Sequence, residues 1–106
     1  MKMRFTGRTR TFEHKYAQQL FAELFSELPD TERVGMAVKL SVFSGLKHIP
    51  DIQADVMRLR KTGIIDLLEV QSTWDTPRSL LRKLQRAMKQ LPENVRGDIY
   101  IVDPDV

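Results

Sequence analysis

The sequence has no cysteine, a single tryptophan and no long hydrophobic run. Without cysteine, the protein has no disulfide, thiolate metal site, iron–sulfur cluster or thiol nucleophile. Such a chain suits a reducing compartment, so we expect a cytoplasmic protein. No segment approaches the roughly 18 apolar residues of a membrane span, and residues 1–10 are basic without the apolar stretch of a secretory signal behind them. We therefore expect no membrane partner.

Length and charge narrow the class of protein further. A chain of 106 residues folds to a radius of gyration of roughly 13 Å and buries one modest core, so we predict a single domain over residues 1–106. Seventeen Lys and Arg against 14 Asp and Glu give a net charge of +3 and a pI near 9.4. This mild basic excess is compatible with a nucleic-acid partner but does not identify one.

The first half of the chain predicts one helix and one strand. Residues 1–10 carry four basic side chains and are predicted to form an irregular basic arm. From Thr11, the predicted N-cap, apolar residues recur at the four-residue spacing of a helix, which ends at Pro29. Residues 34–43 are rich in β-formers and predict a strand.

The second half predicts a hairpin, a helix and a final strand. Residues 51–59 alternate between polar and apolar, and residues 64–73 read as a central strand covered on both faces. Gly63 supplies the positive φ of the turn between them. Thr76 is the predicted N-cap of a helix with a basic outer side, and residues 98–102 form the last strand. The order of elements is typical of an α/β or α+β domain with a mixed sheet.

Three carboxylates interrupt these patterns. Glu13 falls within the apolar stripe of the first helix, Asp51 follows Pro50 at a strand entrance, and Glu69 lies inside the most apolar strand. Each also has a plain structural interpretation. Glu13 would interact favourably with the helix dipole in the first turn, Asp51 would belong to a turn, and Glu69 would form a salt bridge. An acidic residue in an apolar strand is costly unless it is neutralised, for example by a metal ion.

The predicted hairpin brings two of these carboxylates together. Folding about residues 61–62 places Asp51 opposite Gln71 or Ser72, with Glu69 diagonally across the strand pair. Such an oxygen-rich pocket suits Mg²⁺, which binds one or two carboxylates together with water and phosphate oxygens. A divalent ion there is suited to polarising a phosphodiester and generating hydroxide beside it.

The motif Pro50-Asp51, followed after seventeen residues by Glu69-Val70-Gln71, resembles the PD-(D/E)xK nuclease superfamily in a Glu-x-Gln variant. The similarity extends to a preceding helix with a glutamate, a hairpin that carries the motif, a following basic helix and a final strand. In layout the chain is similar to the small Holliday-junction resolvases. The resemblance implies a single α/β restriction-endonuclease-like domain, with a mixed central sheet flanked by helices.

The resemblance also implies roles for individual residues. The catalytic set would be Glu13, Asp51, Glu69 and Gln71. The ligands of Mg²⁺ or Mn²⁺ would be Asp51, Glu69 and the Val70 carbonyl. Basic side chains on the arm and on the second long helix would bind DNA phosphates, in a salt-dependent way: Arg8, Arg10, Arg78, Arg82, Arg86 and Lys89.

One departure from the family pattern concerns charge. The superfamily usually has lysine where this chain has Gln71, and glutamine can orient a water but brings no positive charge. A displaced basic residue could substitute, and the candidates are Lys39, Arg82 and Lys83.

Three further polar residues are interpreted as structural. His14 has no second histidine at a metal-binding spacing and is expected to lie at the surface or to make hydrogen bonds. Asp55 is expected to be a solvated strand residue. Asp66 lies on the strand face opposite Glu69 and is expected to pair locally.

The sequence therefore predicts a metal-dependent DNA endonuclease or a resolvase-like phosphodiester hydrolase. The alternative is a catalytically inactive DNA-binding or protein-interaction module on the same fold, and a small scaffold unrelated to nucleases is a third interpretation. The small size of the domain favours a homodimer, because one copy offers little surface for gripping a duplex.

Overall fold

The computed structural model describes residues 7–46, 49, 52–72 and 75–103, with the backbone alone for residues 7–13. The elements in chain order are α1 (Gly7–Glu27), β1 (Thr31–Lys39), α2 (Leu40–Ser44), β2 (Gln53–Arg60), β3 (Ile65–Val70), α3 (Pro77–Lys89), a 3₁₀ turn (Glu93–Val95) and β4 (Arg96–Val102). None of the described helices is both long enough and apolar enough to cross a membrane.

The strands form one four-stranded sheet in the order β1-β2-β3-β4. The first three strands run antiparallel, and β4 joins the edge parallel to β3. A parallel connection needs a crossover, and α3 supplies it. The predicted α/β class, with a mixed sheet flanked by helices, is confirmed.

Strand β3 is central and covered on both faces, as its apolar sequence predicts. Leu67 packs in one cluster with Leu84 of α3, and Leu68 packs in the other with Phe25 of α1. Because successive side chains of a strand point to opposite faces, the two long helices cover opposite sides of the sheet. All six residues of β3 are buried, so Glu69 sits within the core layer.

Helix α1 begins earlier than predicted. Its first residue is Gly7, so Thr11 is not its N-cap and residues 7–10 are helical rather than an irregular arm. The segment contains no proline, and arginine is a good helix former, so nothing in it stops the helix. The rest of the predicted arm, residues 1–6, lies outside the described residues.

The strand predicted over residues 34–43 was wrong in its last four residues, where the chain forms α2. The helix lets Leu40 and Phe43 bury their side chains together, at 0% and 5% exposure. Residues three apart share a helix face but point to opposite faces of a strand, so core packing outweighs the β preference of this segment. Gly45, with φ of 70°, ends the helix.

The local signals around β3 and α3 are confirmed. Gly63 adopts φ of 93° in the hairpin turn. At the start of α3, the Thr76 hydroxyl accepts a hydrogen bond from the Ser79 amide at 3.1 Å, and the Ser79 hydroxyl accepts one from the Thr76 amide at 3.3 Å. This capping box, with Pro77 in the first turn, explains why the helix begins there.

Near the start of β3, the side chain of Asp66 links this strand to both β2 and β4, and the residue is only 1% exposed. Its carboxylate accepts hydrogen bonds from Arg58 Nη1 at 2.9 Å, Arg60 Nε at 2.9 Å and the Asp98 amide at 2.7 Å. Burial alone raises the pKa of Asp66, but these donors, Arg60 first, outweigh it and lower the pKa below its usual value. The local pairing expected for Asp66 is confirmed and extends to β4.

Gly97 allows β4 to approach this carboxylate. A Cβ there would collide with the Asp66 carboxylate and lie 2.5 Å from the Ile65 carbonyl oxygen. Gly97→Ala should therefore lower the free energy of unfolding by about 3 kcal/mol, measured by urea denaturation, because overpacking also disturbs a buried ion pair. Gly45→Ala is the control: its Cβ would meet nothing within 4 Å, so it should cost only about 1 kcal/mol for its positive φ. Equal decreases in the free energy of unfolding of the two variants would contradict the close approach of β4 to the Asp66 carboxylate.

Candidate active site

Two reciprocal hydrogen bonds join β2 to β3 where their main-chain pairing stops. The paired residues run from Leu59–Ile65 to Val56–Leu68. Beyond them, the Asp55 amide donates to Glu69 Oε2 at 3.1 Å, and the Val70 amide donates to Asp55 Oδ2 at 2.7 Å. Carboxylates thus replace carbonyl groups as acceptors, which brings two acidic side chains to one end of the strand pair.

Strand β2 is irregular at Asp55. Ala54 and Met57 belong to the core cluster on the α3 side, whereas Val56 belongs to the cluster on the α1 side. Strict alternation would put Ala54 and Val56 on the same face, so the alternation breaks between them. On the neighbouring strand, Ala37 adopts φ of 49°, which is unusual for a residue with a side chain. Distortions of this kind are common beside functional sites.

Glu69 is buried, with the residue 7% exposed, and its carboxylate faces a lysine from α3. Its Oε1 atom lies 2.7 Å from Lys83 Nζ. Burial raises the pKa of Glu69; the hydrogen bond from Lys83 opposes this, and the charge of Asp55 adds to it, so the net direction is upward. The site therefore holds two close carboxylates, and the poorly hydrated one of Glu69 contacts the Lys83 ammonium group.

Helix α1 reaches the same place through His14. Its Nε2 atom lies 3.1 Å from the Val70 carbonyl oxygen and 3.1 Å from Asp55 Oδ2. One turn further along the helix, Gln18 Nε2 donates to the Asp55 carbonyl at 2.7 Å. Both main-chain groups of Asp55 are thus bonded to side chains, from β3 and from α1.

The structure places some of the predicted site residues in this cluster and one of them away from it, and it does not describe the others. Glu69 and the Val70 carbonyl lie in this cluster. Gln71 instead donates its amide to the Asp75 carbonyl at 3.2 Å, toward the turn before α3. Asp51 and the side chain of Glu13 lie outside the described residues, so their roles stay predictions.

The hairpin register differs from the predicted one by one or two residues. The Arg60 amide bonds to the Ile64 carbonyl at 2.8 Å, so the hairpin is centred on Thr62, and the residue brought to Glu69 is Asp55. The interpretation of Asp55 as a solvated strand residue was wrong, whereas His14 makes hydrogen bonds, one of the two outcomes expected for it. The signal for Asp55 was present, because Thr62 lies midway between it and Glu69. For His14 the sequence offers no such signal, since its contacts depend on how α1 packs.

Of the three proposed substitutes for the missing lysine, Lys83 is the one whose contact with Glu69 is seen. It is partly exposed, at 38% of its side chain. It also lines an open groove of about 590 Å³ between the start of β2 and α3, together with Ile52, Gln53, Arg86 and Gln90.

A second groove, of about 460 Å³, runs along the outer side of α3. Its lining residues are Ser79, Arg82, Gln85, Arg86 and Lys89. Arg86 belongs to both grooves, so the basic side of α3 continues into the groove at Lys83. The predicted phosphate-binding residues Arg78, Arg82, Arg86 and Lys89 are all exposed. The side chains of Arg8 and Arg10 lie outside the described part of the chain.

Among the described residues, no group of three or more His, Cys, Asp or Glu side chains is arranged to hold a metal ion. Comparison of the chain with models of protein families, with curated proteins and with solved structures finds no match in any of the three. The features of the molecule that bear on function are therefore this cluster and the basic surface next to it.

Glu69→Gln should change how stability depends on pH. Because the pKa of Glu69 is raised by folding, its stabilising contribution is complete below the ordinary value of 4.5 and is lost as pH rises through the folded-state pKa. The melting temperature of the variant minus that of the wild type, measured without added metal, should therefore increase from about pH 4 to about pH 7. Glu93→Gln, which alters an exposed carboxylate, is the control. If the melting temperature of Glu69→Gln minus that of the wild type decreased with pH, the raised pKa of Glu69 would be contradicted.

Proposed function

We propose that the protein is a metal-dependent hydrolase of DNA phosphodiester bonds. The observation that carries the proposal is the buried Glu69 carboxylate, placed beside Asp55 at the end of a strand pair and bound to Lys83. Glu69 is a poorly hydrated acidic group with a raised pKa next to a basic groove, and groups of this kind cluster at functional sites.

The donor set is compatible with Mg²⁺ or Mn²⁺. Mg²⁺ is commonly held by one or two carboxylates with water completing its shell, and Asp55, Glu69 and the Val70 carbonyl provide the protein oxygens. Glu69 Oε1 and Oε2 each accept one hydrogen bond and keep a second lone pair, which an ion can use. A bound ion would polarise the phosphodiester and lower the pKa of a water beside it. Asp51 and Glu13 remain predicted members of the site.

Lys83 takes the role that the family resemblance assigns to a lysine at position 71. Its ammonium group is held by Glu69 and also borders the groove, so it can contact a phosphate oxygen there while it keeps its acidic partner. A fixed positive charge in a partly dry site stabilises negative charge that develops on the phosphate during hydrolysis. Gln71 is turned toward Asp75 and does not contact Glu69 in this arrangement.

The substrate is proposed to be DNA because of the position of the basic residues. The groove at Lys83 continues through Arg86 onto the outer side of α3, where further exposed cations lie. A path of cations suits the phosphate backbone, and contacts to phosphate give affinity without sequence preference. We further propose a cytoplasmic location, from the absence of cysteine, and a homodimer, since two copies offer a longer duplex-binding surface than one.

Cleavage assays on plasmid, single-stranded and branched DNA test the hydrolase directly. With Mg²⁺ or Mn²⁺ the wild type should cut at least one of them, and Glu69→Gln or Lys83→Met should reduce the rate by at least about 100-fold, because each removes a charge at the site. Lys61→Met, which removes an exposed lysine of the hairpin turn, is the control for loss of a lysine away from the site and should stay within about threefold.

DNA binding measured in parallel separates the proposed hydrolase from its alternative. Glu69→Gln should bind DNA about as well as the wild type, because Glu69 makes no positive contribution to phosphate binding. A wild type that cuts none of the three substrates with either ion would show the hydrolase proposal to be wrong. Retained salt-sensitive binding in that case would favour the inactive DNA-binding module.

Arg86→Ala should weaken DNA binding more than Arg78→Ala. Arg86 lines both grooves, whereas Arg78 is exposed on the first turn of the same helix and borders neither. In fluorescence anisotropy titrations with EDTA, we expect the slope of log affinity against log salt to fall by about one for Arg86→Ala, with affinity reduced about tenfold at low salt. Equal losses for both variants would place the DNA on the outer side of α3 alone.

A further inference from the structure

We propose that an exposed side of α1 binds an amphipathic helix of a partner protein, one whose apolar stripe is flanked by lysine or arginine. Four apolar side chains of α1 form this surface, which we call the apolar ridge: Tyr16, Leu20, Leu24 and Leu28. The surface is separate from the proposed hydrolase, because no residue of the ridge belongs to the candidate active site.

The apolar ridge is continuous along the helix. Its members follow one another at intervals of four residues, and side chains four apart on a helix are neighbours. Each of the four residues is at least 41% exposed. Single exposed leucines are ordinary on a protein surface, whereas a contiguous apolar patch marks an interaction site. A row at this spacing, roughly 18 Å long at about 1.5 Å per residue, is the kind that packs into the groove of another helix.

The outer strand β4 adds a further apolar group beside α1. Tyr100 pairs with Leu68 of β3, which belongs to the core cluster under α1, so Tyr100 points to the same side of the sheet. Its ring packs edge-on against Phe25, with the centroids 5.4 Å apart, yet the residue remains exposed. Helix α1 packs mainly on β1, β2 and β3. The face of the sheet over β4 is therefore open to a partner that lies along α1.

Carboxylates border the apolar ridge. Glu23 lies three residues after Leu20 and Glu27 three after Leu24, so each carboxylate is a neighbour of a ridge leucine. Both are exposed, and no ion pair among the described residues involves either of them. Lys15 lies five residues before Leu20 and nine before Leu24, about 140° and about 180° around the helix from them. An apolar row with a negative border is complementary to an apolar stripe flanked by cations.

The same charges disfavour other occupants of the ridge. A two-fold contact between copies of the chain is self-complementary, so it would bring the carboxylates of both copies together. The negative surface of an anionic membrane and the phosphates of DNA would be repelled as well. The proposed homodimer would therefore use a different surface. Helix α3, with its exposed cations, covers the opposite side of the sheet, so a partner on the ridge leaves the proposed DNA-binding surface free.

Model peptides test the surface. The probe is a dye-labelled helical peptide of about 18 residues, with leucine along one face and lysine on both flanks. A second peptide has glutamate in place of every lysine. In fluorescence anisotropy titrations at low salt, the wild type should bind the lysine peptide with a Kd on the order of micromolar. It should bind the glutamate peptide at least about tenfold more weakly.

Three variants assign this binding to the ridge. Leu24→Gln should weaken binding of the lysine peptide about tenfold, because it removes an apolar contact in the middle of the ridge. Val42→Gln is the matched control, since Val42 is an exposed apolar residue of α2, and it should bind like the wild type. Glu27→Lys should weaken binding of the lysine peptide and strengthen binding of the glutamate peptide, a gain that a misfolded variant would not show.

Three results of the titrations would overturn the inference: no binding of the lysine peptide by the wild type, equal binding of the two peptides, or equal effects of Leu24→Gln and Val42→Gln. Sedimentation equilibrium and vesicles of phosphatidylcholine and phosphatidylserine test the other occupants. A wild-type dimer that Leu24→Gln dissociates, or vesicle binding that it abolishes, would overturn the inference in favour of a second copy or a membrane. Leu24→Gln should bind and cut DNA like the wild type, so failure of the hydrolase proposal would leave the peptide result unchanged.

Discussion

The buried Asp66 carboxylate fixes the register on which the rest of the structure depends. It pairs with Arg58, its neighbour across β2 and β3, and it also binds Arg60 and the amide of Asp98 on β4. A slip of one residue would turn it to the other face and leave a buried charge unpaired, which is far costlier than losing a surface ion pair. The same register, followed along the hairpin, sets Asp55 beside Glu69. The site at one end of the sheet is thus specified by an ion pair at the other.

The sequence predicts those parts of the fold whose signals are local. The start of α3 follows from Thr76 and Pro77, and the hairpin follows from Gly63 between two apolar runs, because capping and turn geometry involve neighbouring residues only. The order of the long elements follows from their periodicity. The short helix α2 was missed because its β-forming residues are overruled by burial of Leu40 and Phe43, which depends on contacts distant in the chain.

The candidate site likewise contains some residues that the sequence could identify and others that depend on tertiary packing. Glu69 could be singled out because a carboxylate inside an apolar strand needs a partner wherever the strand lies. Lys83 could only be named among several cations, since its contact requires the packing of α3 on the sheet. Asp55 was missed through a small error in the turn centre, and a register error of one residue moves every side chain to the other face. His14 meets Val70 across 56 residues of chain, a contact that no local pattern contains.

The ammonium group that faces Glu69 comes from a residue fourteen positions further along the chain, on a different element. In the proposed hydrolase, position 71 would then need no charge, and Gln71 bonds instead to Asp75, just before the helix that carries Lys83. A motif of fixed spacing would place the carboxylate and the ammonium group on one strand, whereas here the carboxylate lies on a strand and the ammonium group on a helix. Related proteins that differ in this way would have the lysine at the same place in space but at different positions of a sequence alignment. Structural superposition would therefore detect the similarity where sequence comparison would not.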